Sequence, residues 1–172
     1  MIRKMLPFVL LTALVMSAGC APTSQYSAVS DIRNQCPPFF RIGEVMDSSG
    51  YTPGKDDPAI SPAEHMKATI EGELAKKGYF AENGESIYTL DVVVLEYSPG
   101  NAFARWLMPG LGATRLRIGT TLTDCMEVKI AEIPVEMNVA AGGGYTIGAW
   151  EHVFTDVAKS LVQDLEKNVL KK

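Results

Sequence analysis

The sequence has little histidine, little cysteine and no surplus of positive charge, and each shortage removes a class of function. Its two histidines, His65 and His152, lie far apart, and no His-Glu-x-x-His pair accompanies them. Three cysteines, Cys20, Cys36 and Cys125, have no metal-site spacing, so neither a zinc centre nor any other metal site is expected. No Gly-x-Ser-x-Gly elbow is present, so nucleophilic catalysis has no visible machinery and the expectation is a protein that is not an enzyme and uses no cofactor. Sixteen basic side chains face 20 acidic ones, which is not the basic footprint expected of a nucleic-acid partner. No apolar run is long enough to cross a hydrocarbon core of about 30 Å as a helix.

What is present begins at the N-terminus. Arg3 and Lys4 precede an apolar run from Met5 to Met16, and the small residues Ser17, Ala18 and Gly19 lead to Cys20. This is the layout of a secretory signal. With a cysteine directly after the small residues it resembles a bacterial lipobox, in which a diacylglyceryl group is attached to the cysteine before cleavage; Ser17 stands where the usual pattern has Leu. The resemblance implies a signal peptide over residues 1–19, lipidation at Cys20 and a membrane partner reached through that lipid. Ala21 is not the Asp that retains lipoproteins at the inner membrane, which implies the outer membrane. Residues 20–34 are polar and without periodicity, reading as a flexible tether with a reach of about 20 Å.

Residues 35–172 suit one α/β (α+β) domain. Phe39 to Met46 reads as a first strand, and the Gly- and Pro-containing stretch from Asp47 to Ile60 as a long loop. Asp56 and Asp57 lie in that loop without the spacing of a calcium site. Ser61, Pro62 and Glu64 announce a helix through a capping box with proline at the first position, and Gly78 is a plausible stop. Tyr88 to Tyr97 is β-rich and apolar on both faces, hence a central strand. Thr114 to Asp124 alternates, with Leu116, Ile118 and Leu122 on one side and Arg115 and Arg117 on the other. Glu127 to Ala140 changes phase near Ala131 and Glu132, which predicts a bulge, and Pro134 argues for an edge position. Trp150, Val153, Phe154, Val157, Leu161 and Leu165 mark a final amphipathic helix. The order β-α-β-β-β-α predicts a two-layer sandwich, a mixed four-stranded sheet with two helices on one face.

Cys36 and Cys125 each lie beside a predicted strand end in a chain bound for an oxidising compartment. They read either as a disulfide or as two separate buried thiols. His65 and His152 read as solvated helical histidines.

Two segments stand apart: Asn101 to Leu116, dense in apolar residues around Arg105, and Gly142 to Trp150, which contains Gly148 and Ala149. Together with the lipobox they resemble the envelope lipoproteins of the domain of unknown function 4410 family. That resemblance implies a small α/β lipoprotein and no activity. Phe103, Arg105, Trp106 and Leu107 form either an exposed patch for an envelope partner or membrane, or a short helix capping the sheet edge. Arg115 and Arg117 belong to a sheet face that could share in partner binding. Gly142 to Gly144 reads as a tight strand-to-helix turn, and Gly148 and Ala149 as small residues allowing close approach. The resulting expectation is a non-enzymatic, outer-membrane-anchored interaction module facing the periplasm; the alternative is a small-molecule binder with a pocket between sheet and helices.

Overall fold

The computed structural model describes residues 21–30, 36–84, 86–108, 111–140 and 148–171. Its elements run β1 (Thr23–Ser24), β2 (Ser27–Ala28), β3 (Phe40–Asp47), α1 (Pro62–Lys76), β4 (Tyr88–Ser98), α2 (Ala102–Leu107), β5 (Thr114–Thr123), β6 (Lys129–Val139) and α3 (Ala149–Asn168). One sheet is ordered β1-β6-β5-β4-β3, with β2 also paired to β6. The β3–β4 pair is parallel, as a strand–helix–strand unit requires, and the remaining pairs are antiparallel. Helices α1 and α3 pack together on one face, where Phe40, Met66, Ile70, Leu74, Phe154 and Leu161 are fully buried.

Each long element starts for a local reason. Ser61 accepts the Glu64 amide at the head of α1 with Pro62 following, and Gly78 takes a φ of 73° just past its end. In β5 the inward residues Leu116, Ile118 and Leu122 are buried, as their alternation requires. The phase change in β6 is a register shift: Leu122 pairs with Ala131 and Thr123 with Lys129, leaving Ile130 as the extra residue. Ile130 and Ala131 are consequently both buried.

Three expectations need correction. The sheet is larger than four strands and the helices number three among the described residues, because β1, β2 and α2 add to the pattern. The segment read as a free tether is pinned: Thr23 and Ser24 pair with Glu136 and Val135, Ser27 and Ala28 with Glu132 and Ala131, and the Ser24 hydroxyl bonds the Asp164 carboxylate of α3. Pro134 is therefore not on a bare edge. Its missing N–H matters differently: the register sets Gln25 opposite Pro134 and Tyr26 opposite Ile133, and although the Gln25 amide donates to the Pro134 carbonyl, Pro134 has no N–H to return the bond, and the strand is interrupted there between β1 and β2.

An aromatic tier ties the layers together. The rings of Tyr97 and Phe154 are 5.0 Å apart, His65 meets Phe154 edge-on at 4.6 Å, and Tyr51 of the long loop meets Tyr97 at 4.8 Å. His65 is thus half-buried against Phe154 rather than solvated, whereas His152 is exposed. The Tyr97 hydroxyl is buried and makes no hydrogen bond among the described residues. Burial, then the Tyr51 phenol and the Asp57 carboxylate, pushes its ionisation well above the ordinary tyrosine range. A raised folded-state value means stability that is full below about pH 10, where an unfolded tyrosine titrates, and lost as pH rises further. Tyr97→Phe should raise the alkaline unfolding midpoint and add about 1 kcal/mol at neutral pH by removing an unpaired polar atom. Denaturant titrations at neutral pH and above pH 10 check this; equal losses at both would mean that the hydroxyl has a partner.

Candidate functional site

The two faces of the sheet differ. One carries α1 and α3; on the other, no described element is packed. Pairing registers align Met46 with Val93, Val93 with Gly119 and Gly119 with Pro134, so an apolar row crosses this open face. Met46 and Leu95 are exposed there, and Leu95 is the bulged residue between Val94 and Glu96. The Leu95 Cδ1 lies 3.5 Å from where a Gly119 side chain would begin, so the missing Cβ leaves Leu95 room to lie across the neighbouring strand. Of the expectation that β4 is apolar on both faces, the inner half is deeply buried and the outer half is accessible.

Beside this row sits a band of charge. Glu96 pairs in register with Arg117 and Arg117 with Glu136, while the Arg115 guanidinium lies 3.6 Å from the Glu96 carboxylate. Arg115 and Arg117 share the solvent face as their alternation predicts, but each stands beside a carboxylate, so the face has no net basic character. These residues with Asn138 line an open depression, a shape for another surface rather than for an enclosed ligand. Between sheet and helices, where a small-molecule pocket was the alternative, the described apolar side chains form one buried cluster.

At one end of the sheet, the β4–β5 connection is built as a closed finger. Asn101 caps α2 by accepting the Ala104 amide at 3.0 Å, its own amide bonds Gly112 carbonyl at 2.8 Å, and the Thr114 hydroxyl bonds Pro99 carbonyl at 2.7 Å. Gly112 has a φ of 68°, and a Cβ there would meet the Asn101 carbonyl oxygen at 2.8 Å, so glycine is required. The finger presents its apolar side chains outward: Phe103, Trp106, Leu107, Met108 and Leu111 are 68%, 71%, 65%, 59% and 52% exposed. The reading of α2 as a cap folded over the sheet edge is overturned. Six helical residues are too few to carry an inward stripe as well, so the apolar side chains have no core to enter. Arg105 lies within α2.

Cys36 and Cys125 form a disulfide with Cα atoms 5.8 Å apart, at the opposite end of the sheet. Gly148 takes a φ of 74° at the start of α3, and nothing lies within 4 Å of where its Cβ would be. Conformation, not close approach, therefore explains that glycine, while Ala149 is buried. Cys20 and Gly142 to Gly144 lie outside the described residues. Among the described residues no acidic, histidine or cysteine cluster could hold a metal ion, and no helix is long and apolar enough to cross a membrane.

No curated protein matches the sequence. In three dimensions the chain is similar to the PelC dodecamer from Paraburkholderia phytofirmans, at 11% identity and a TM-score of 0.53, over 81% of this chain and 96% of that one. It is also similar to a minor lipoprotein from Acinetobacter baumannii, at 17% identity and a TM-score of 0.47, over 77% and 94% of the two chains. Protein XCC0632 from Xanthomonas campestris, of the DUF330 family, gives 15% identity and a TM-score of 0.49 over 77% and 86%. At these identities the PelC likeness is one of fold. Residues 54–153 match the family model described as Domain of unknown function (DUF4410), more than half of the chain, and the protein belongs to that family.

Proposed function

We propose that the chain is a non-enzymatic lipoprotein of the bacterial envelope, held at the outer membrane by acyl chains on Cys20, with a periplasmic domain acting as an interaction module. The observation that carries the module reading is the open sheet face. A mixed apolar and charge-paired surface on a rigid sheet, with no packed element over it among the described residues, has the composition of a protein contact. Arg115 and Arg117, set beside carboxylates, would fix register and exclude mismatched partners more than they would add affinity. The lipobox-like segment supports the anchor, and Ala21 supports the outer membrane.

A photoreactive residue replacing Leu95, with a control replacing Lys159 on α3, tests the module in intact cells. A discrete adduct from the first site alone supports it, whether the captured protein is another envelope component or a second copy of this chain. The dodecameric state of the PelC relative makes the second copy a specific outcome to look for. Equal or absent adducts at both sites would sink the open-face reading. For the anchor, Cys20→Ser should abolish palmitate incorporation; labelling that persists in the variant would place the lipid elsewhere, and an unlabelled wild type would mean that there is no acyl anchor.

A further inference from the structure

We infer that the α2 finger is a second membrane contact, seated in the lipid surface beside the acyl chains on Cys20. The inference rests on the acylation of Cys20 proposed above. The strand registers carry it. Because β1 runs antiparallel to β6 with Thr23 opposite Glu136 and Ser24 opposite Val135, the chain leading back to Cys20 heads toward the Val139 end of β6. That end is also where β5 begins, Thr114 opposite Val139, and where β4 finishes, Ser98 opposite Arg115. The finger joins those two strands. Cys20 is three residues before Thr23, a reach of at most about 11 Å. Strand β1 lies two places from β5 and three from β4, so the anchor emerges within roughly 10–14 Å of the finger's base. A domain so tightly coupled to its lipid cannot hold that end far from the bilayer.

The chemistry of the finger fits a lipid surface. Residues 99–114 contain no Asp or Glu and one basic residue, Arg105, so no carboxylate opposes anionic headgroups. Among its described residues, the amides of Asn101, Ala104, Met108 and Leu111 are bonded within the finger, which reduces the number of peptide groups to be transferred with the side chains. Tryptophan with adjacent leucine and methionine is the composition that settles at the headgroup level, about 5–10 Å into the boundary. Two contacts at one end direct the strands away from the bilayer, so that the open face looks sideways into the periplasm, where a neighbour can reach it.

The test uses the mature acylated chain in vesicles of phosphatidylethanolamine and phosphatidylglycerol with brominated acyl chains. Trp150→Phe leaves Trp106 as the sole tryptophan, and Trp150→Phe with Trp106→Phe and Met126→Trp moves the reporter to the opposite end of the sheet, where Met126 is exposed. If Trp150→Phe perturbs folding, the difference between wild type and Trp106→Phe reads the same signal. The expected result is a blue shift and loss of at least about half of the Trp106 emission, with little change at the opposite end, as the shallow insertion depth requires. Vesicle-bound protein with both reporters unquenched would overturn the finger while keeping the anchor. A blue-shifted but unquenched Trp106 would mean a protein contact instead, and also overturns it. If the native chain isolated from membranes carries no acyl group on Cys20 and does not float with vesicles, both readings are overturned.

Discussion

Removing the disulfide by Cys36→Ala with Cys125→Ala should lower the melting temperature by about 10–15 °C, the largest loss expected from any change outside the core. The two cysteines are 89 residues apart, and the loop they close holds β3, α1, β4, α2 and β5. In the chain-entropy view, opening a loop of that length frees about 4–5 kcal/mol of denatured-state entropy. In a domain of this size each kcal/mol moves the midpoint by about 2–4 °C. Topology explains why the link is placed where it is. Since β3 is parallel to β4 and β4 antiparallel to β5, the entry to β3 and the exit from β5 lie at one end of the sheet, separated by the start of β4. The cross-link therefore bridges strands that do not pair. It also abuts the β5–β6 turn, where buried Asp124 accepts the amides of Met126 and Val128 at 2.8 and 3.0 Å. Thermal melts of the variant and of reduced wild type should agree. A drop below about 3 °C in both would mean that the sheet ladder already confines this loop in the unfolded ensemble.

The elements that the sequence reveals are those whose own side chains supply the free energy to form them. β5 and α3 each bury a continuous apolar stripe, and their bounds fall within three residues of the periodic pattern. The bulge in β6 was visible for the same reason, since an extra residue must flip the phase of every side chain beyond it. β1 and β2 are different. Four residues, Thr23, Ser24, Ser27 and Ala28, carry no stripe; their energy comes from the free edge of β6 and from Asp164, neither of which is local. The finger marks a second limit. Apolar density at Phe103 to Leu111 identifies a notable segment, but composition is identical whether such side chains enter a core or leave it. Only the bonds that tie Asn101 to Gly112 and Thr114 to Pro99, with six residues of helix between, decide that they point out. His65 shows the converse: a polar residue on a helix flank is drawn inward by an aromatic partner that is distant in sequence.

Phe154→Ala should cost about 3–5 kcal/mol, while Trp106→Ala should change stability by less than about 0.5 kcal/mol, although both delete a large aromatic ring. Phe154 is fully buried in the middle of the aromatic tier, touching Tyr97 of β4 on one side and His65 of α1 on the other. Those neighbours are fixed by separate elements, the sheet and the first helix, so the void cannot close by a single side-chain movement. Loss toward the upper end of the range is therefore expected. Trp106 is 71% exposed on a finger whose backbone closes without it, so the folded state has little to lose. The comparison separates stability from binding at one stroke. Urea titration should move the midpoint of Phe154→Ala with little change in slope, and leave that of Trp106→Ala in place. A destabilisation above about 1 kcal/mol for Trp106→Ala would mean that the ring is packed in the native state, and the exposed finger would then be a misreading. If instead stability holds while the variant loses its contact with lipid, the exposed apolar finger is maintained for an encounter outside the fold, because its removal leaves the fold intact.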